Sequence, residues 1–172
     1  MRKATCVSTV LGCVCLAAVA QAGPAKLPAV VAADLKETAD ECTGVGGRPD
    51  TGQAVRSADL NGDARADYVL DVGSIVCEGA ASVYGDRAKR IVLYAGDGSG
   101  GAQRAFDDAV YGSVLEGTGA AAKLWMTVSG QRCGKPAAAS FANEAFCERY
   151  VVWNAAARRF DFAPVSTVRT IH

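Results

Sequence analysis

The chain has 172 residues, with 18 Lys+Arg against 18 Asp+Glu and a formal net charge of +0. That balance excludes the strong positive field on which nonspecific nucleic-acid or anionic-membrane binding depends. Half of the residues are apolar, but much of that fraction is alanine, which buries little area per residue.

The N-terminus has the pattern of a secretory signal. Arg2 and Lys3 form a short positive region, and an apolar run from Val7 to Ala20 follows. Ala20-Gln21-Ala22 places small residues at the two positions a signal peptidase reads, which predicts cleavage after Ala22. The run is too short to span a bilayer comfortably and no second one follows, so no transmembrane segment is expected in the mature chain. A lipoprotein reading would rest on Val10-Leu11-Gly12-Cys13, where the bulky Leu11 stands at a position that is usually small. Cleavage removes two basic residues and leaves 16 against 18 acidic ones, a net charge of −2. The remaining length is that of a single domain, from residue 23 to 172, with a periplasmic or secreted location.

Residues 23–28 read as a Pro- and Ala-rich lead-in. From Leu27 to Cys42 the apolar residues Val30, Val31, Leu35 and Ala39 recur at helical spacing, with Asp34, Lys36, Glu37, Asp40 and Glu41 between them. Gly44, Gly46 and Gly47 then stop the helix. The period changes to two. Ala54 to Ala58 and Tyr68 to Val72 read as strands on either side of an Asp-rich loop. Arg90 to Tyr94 is a third strand, ending in the turn Gly96-Asp97-Gly98-Ser99-Gly100-Gly101. Ala105 to Tyr111 and Lys123 to Val128 follow. Arg149 to Trp153 and Arg159 to Phe162, joined by Asn154 to Arg158, read as a hairpin. The expected fold class is α+β: a mainly antiparallel sheet with one N-terminal helix over a face.

Cys6, Cys13 and Cys15 leave with the signal, and Cys42, Cys77, Cys133 and Cys147 remain. An even count in an exported chain predicts two disulfides. Sequential pairing, Cys42–Cys77 and Cys133–Cys147, closes the shorter loops, each stabilising by about 3–4 kcal/mol on the chain-entropy model. A four-thiolate zinc site lacks the CxxC spacing such sites use.

The loop Asp59-Leu60-Asn61-Gly62-Asp63-Ala64-Arg65-Ala66-Asp67 carries oxygen-bearing groups at alternate positions. Calcium takes six to eight oxygens at about 2.3–2.6 Å, and alternate residues of a tight loop converge on one point. Asp59, Asn61 and Asp63 would supply side-chain oxygens, Arg65 its backbone carbonyl, and Asp67 would close the site. Three carboxylates on so small a loop repel one another, and a divalent cation relieves that. The metal-free alternative is an Asx-rich hairpin turn whose charge is offset by Arg56 and Arg65. An EF-hand is excluded, because Leu70 stands where its bidentate Glu belongs and both flanks are strand-like.

From Ser57 to Leu70 the segment resembles the calcium loop of FG-GAP or VCBS-type repeats, in which Asp-x-(Asp/Asn)-Gly-Asp-Gly-x-x-Asp links two strands. The resemblance implies a structural calcium ion held by Asp59, Asn61, Asp63 and Asp67. Ala64 stands where that pattern has Gly. Should that residue be left-handed, alanine costs on the order of 1 kcal/mol and lowers affinity. The family builds propellers from several such blades. This chain has one loop and about 20 residues of resemblance, so the ion site is carried over and the propeller is not. Affinity of about 0.1–1 mM is expected, as in extracellular modules.

Nothing else in the chain argues for catalysis. The single histidine, His172, is the last residue, a poor place for a fixed imidazole. The Gly96–Gly101 run lacks the Lys-Ser/Thr ending of a phosphate loop. Asp107 and Asp108 are adjacent, so on a strand they face opposite sides. Glu144 and Glu148 read as solvated. Tyr150, Trp153, Phe160 and Phe162 alternate on the last hairpin and read as core, the alternative being an exposed aromatic row that stacks on sugar rings. The chain is therefore expected to be a non-enzymatic exported module with a structural calcium loop, binding an envelope protein or a glycan and no nucleic acid. The alternative is an inhibitor of a secreted hydrolase, presenting Asp97 to Gly101 or the Cys133–Cys147 loop. The binding reading predicts a patch with exposed aromatics, and the inhibitor reading a protruding rigid loop.

Overall fold

The computed structural model describes residues 26–171. The expected signal region, its cleavage point and His172 lie outside them. Helix α1 spans Ala29–Gly44, starting and ending two residues later than the sequence expectation, because Pro28 stays extended at its start while its carbonyl accepts the Ala32 N–H. Its buried stripe is Val31, Asp34, Thr38 and Cys42. Strands β1 (Arg48–Asp50), β2 (Val55–Ala58), β3 (Asp67–Asp71), β4 (Val76–Glu78), β5 (Lys89–Gly96) and β6 (Ala102–Val110) follow. The second half holds β7 (Gly112–Glu116), β8 (Lys123–Ser129), β9 (Phe146–Asn154), β10 (Arg159–Phe162) and β11 (Arg169–Thr170).

All strand pairings are antiparallel. The first sheet is ordered β2-β3-β5-β6 and the second β7-β8-β9-β10, with β11 beside the start of β9. Each is thus built on a four-stranded up-and-down meander, the second with β11 as a fifth strand, and the two follow each other along the chain. β1 and β4 form a separate two-stranded ribbon.

Period-two alternation divides the core into two layers. Val69, Ile91 and Leu93 face the second sheet and pack with Leu124, Met126, Val128, Val151 and Phe160. Their neighbours Leu70, Val92 and Tyr94 face the other way and pack with Val31 of α1. The result is helix, sheet, sheet, an α+β fold with mostly antiparallel strands. A bulge where β5 pairs β6, at Leu93/Tyr94, lets Ala105 and Phe106 both serve the inter-sheet layer.

Two disulfides staple the fold, Cys42–Cys77 and Cys133–Cys147, with Cα–Cα distances of 5.8 and 6.6 Å. The first ties the end of α1 to β4. Gly47 passes against it so closely that a Cβ there would come within 2.8 Å of Cys42 Sγ. The second closes the loop before β9. Phe160 is buried and Trp153 and Phe162 pack on the same layer, so the last hairpin supplies core. Among the described residues no helix is long and apolar enough to cross a membrane.

Candidate functional site

The Asp-rich loop joins β2 to β3, and its side chains turn inward onto its own backbone. Asp59 Oδ1 accepts the N–H groups of Gly62 and Asp63, and Oδ2 that of Ala64, at 2.7, 3.1 and 3.0 Å. Asn61 Oδ1 accepts the Asp63 N–H, and Asp63 Oδ1 the Arg65 N–H, both at 2.9 Å. These are nested Asx turns. The tight path needs left-handed backbone at Gly62 (φ +79°) and at Ala64 (φ +63°). Glycine takes that conformation freely and alanine does not. Asn61 and the three carboxylates do not all play one part. Asp59, Asn61 and Asp63 keep unused lone pairs, since a carboxylate has about four acceptor positions and an amide oxygen about two.

Asp67 differs. It is 0% exposed. Its Oδ2 accepts the Leu60 and Asn61 N–H groups at 2.9 and 3.1 Å. Its Oδ1 accepts the Gly96 N–H at 3.0 Å and the Asn61 amide at 3.4 Å. Burial pushes its carboxyl above the usual carboxylate range, opposed by those backbone N–H bonds, while the nearby Asp63 charge adds to the rise. Asp67, at the start of β3, therefore ties the loop residues Leu60 and Asn61 to the end of β5. Arg65 is exposed, with its guanidinium 3.9 Å from Asp63 and its side chain resting on the turn at Gly98. Among the described residues no three His, Cys, Asp or Glu side chains converge as a metal cluster. By donor chemistry, Asp59, Asn61 and Asp63 with the Arg65 carbonyl are the oxygens that would hold a hard cation here. Water would have to complete the six to eight oxygens calcium takes.

The Gly96–Gly101 run is a hairpin turn between β5 and β6. Asp97 pins it by accepting the Ser99 and Gly101 N–H groups and the Ser99 hydroxyl. Asp107 and Asp108 do diverge: Asp107 pairs with Arg90 and Arg104, and Asp108 with Arg132. Glu144 is half-buried and accepts the Gly130 N–H at 3.1 Å, a partner that fourteen residues of separation hide from a sequence reading.

Three groupings escape the sequence. On the helix side, Asp34, only 4% exposed, accepts Arg90 at 3.0 Å, Arg104 at 2.6 Å and the Tyr94 hydroxyl. Asp107 binds the same two arginines from outside. The available signal was the place of Asp34 on the stripe with Val31, Thr38 and Cys42. Between the sheets, Asp71 binds Arg56 at 3.0 Å and the Ser113 hydroxyl at 2.5 Å. Finally, Tyr111, Phe141 and Phe146 gather their rings within 4.7–6.1 Å of one another. Tyr111 is 36% and Phe141 41% exposed, and the Arg87 guanidinium lies 4.0 Å over the Phe141 ring.

No family model, no curated protein and no solved structure matches this chain. The functional reading therefore rests on the loop, the disulfides and the surface.

Proposed function

We propose that the chain is an exported, disulfide-stapled, non-enzymatic binding module, and that its Asp59–Asp67 loop takes one calcium ion as a structural element. The observation that carries the reading is the loop itself. It crowds Asp59, Asn61 and Asp63 into nested turns and accepts a left-handed alanine to do so. Evenly spaced oxygens suit an ion site, and strained backbone tends to cluster at functional sites. Asp59, Asn61 and Asp63 would hold the ion with the Arg65 carbonyl, and Asp67 would brace them. The ion would supply charge neutralisation and stiffness to the loop. The two disulfides are compatible with an oxidising compartment. The exposed Tyr111 and Phe141 favour a binding patch over a cleft-plugging loop, and hence over an inhibitor.

Amide shifts in a calcium titration test it. Gly62, Asp63, Ala64 and Arg65 should move together and saturate with Kd about 0.1–1 mM, and Asp63→Ala should abolish the movement. Unmoved loop amides in millimolar calcium would overturn the reading.

A further inference from the structure

We propose that the seam between the two sheets is a binding site for a uronic-acid saccharide, with Arg87 and Lys89 taking its carboxylates and Tyr111 and Phe141 its sugar rings. The inference rests on the reading of the chain as a binding module. It does not rest on the calcium loop, which lies at the opposite end of β3.

A cleft of about 280 Å³ opens where β3 ends, β5 begins and the chain passes from β6 to β7. Its walls include Asp71, Ser74, Arg87, Lys89, Tyr111 and Ser113. The Asp71 charge is already met by Arg56 at 3.0 Å. Among the described residues neither Arg87 nor Lys89 has a carboxylate within ion-pairing distance. The uncompensated charge of the cleft is therefore positive, and a planar guanidinium and an ammonium are suited to carboxylate.

The rest of the surface selects among anions. Arg87 both lines the cleft and stacks on Phe141, so the charged wall runs without a break into the aromatic trio. The Ser74 and Tyr111 hydroxyls and the backbone at Gly73 and Gly112 add polar groups suited to a hydroxyl-rich ligand. The volume is at the small end for ligand pockets. It suits one sugar ring, leaving the neighbouring rings of an oligomer to lie against the exposed parts of Tyr111 and Phe141. The seam position is typical of sites built between packed units.

The test is affinity, measured in EDTA with the oxidised protein. The probes are a galacturonate trimer, the neutral maltotriose and a short polyglutamate. Saturable binding of the galacturonate trimer is expected, at least about tenfold tighter than of maltotriose. Arg87→Ala combined with Lys89→Ala should weaken it about tenfold or more, and Phe141→Ala several-fold, while Arg158→Ala, on a remote turn, should change nothing. Equal binding of polyglutamate would reassign the cleft to acidic peptides and overturn the saccharide. Absent trimer binding, or binding indifferent to the double variant, would overturn the site. Because EDTA removes calcium from every arm, loss of trimer binding and loss of the calcium response are separate outcomes.

Discussion

The Gly96 N–H donates to Asp67 Oδ1 at 3.0 Å, and a Cβ on Gly96 would collide with the Ala66 carbonyl. The end of β5 and the Asp-rich loop are thus in backbone contact, and the buried carboxylate of Asp67 is the shared fastening. Gly96→Ala should force the two segments apart and disturb all the N–H bonds to Asp67. The expected loss is about 1–3 kcal/mol, the usual cost of overpacking. Denaturant unfolding measures it directly, and an unchanged midpoint would contradict the contact.

Ala64 makes the opposite prediction. At φ +63° it bears a left-handed penalty of about 1–2 kcal/mol. Ala64→Gly relieves that and gives back about 0.4–1 kcal/mol through the freer unfolded chain. A net gain of up to about 1 kcal/mol is expected, together with tighter calcium binding. Weaker binding would place the ion contact elsewhere.

The Asp34 cluster should respond to acid. Burial pushes its carboxyl up, but the hydrogen bonds from Tyr94 and Arg90 and the charges of Arg90 and Arg104 outweigh this and leave it below the usual range. A depressed acid contributes stability that is present above its unfolded value, about 4, and lost as pH falls through the lower folded value. Wild type should therefore lose stability more steeply than Asp34→Asn as pH falls below about 4. Near neutral pH, removing one partner of a buried pair costs about 3–5 kcal/mol. Solvent at the half-exposed arginines reduces that for Asp34→Ala to about 2–3 kcal/mol. Equal slopes for wild type and variant would show that the cluster is not coupled to folding.

The disulfides should differ in weight. Cys42–Cys77 spans 35 residues and Cys133–Cys147 spans 14. Loop-closure entropy then gives about 4 and about 3 kcal/mol respectively. Serine pairs at each site, compared by thermal unfolding, should rank in that order. The reverse order would mean that the first bridge constrains an already ordered unfolded chain.

What was legible in the sequence was local. Helical spacing located α1, alternation located β5, β8 and the β9–β10 hairpin, and loop economy chose both disulfides. What was hidden is long-range. β7 carries Gly112, Ser113 and Glu116 and has little apolar pattern of its own; it is a strand because β8 pairs with it. β1 and β4 are too short to register and are held beside the Cys42–Cys77 bridge. Asp67 reads from spacing as a terminal ligand, but its buried N–H partner at Gly96 lies 29 residues on. Asp34 reads as one more polar residue of an amphipathic helix, because Arg90 and Arg104 reach it from strands 56 and 70 residues away. The Arg87, Tyr111 and Phe141 grouping draws on three separate segments, so no window of sequence contains it.

The measurement that most directly tests the calcium module is thermal unfolding of the oxidised protein in excess EDTA and then in millimolar calcium, with Asp63→Ala alongside. A ligand that binds only the folded chain raises its midpoint by mass action. A rise of several degrees is expected for wild type and none for Asp63→Ala. Identical midpoints with and without calcium would contradict it, leaving the loop as a metal-free turn held by Asp67.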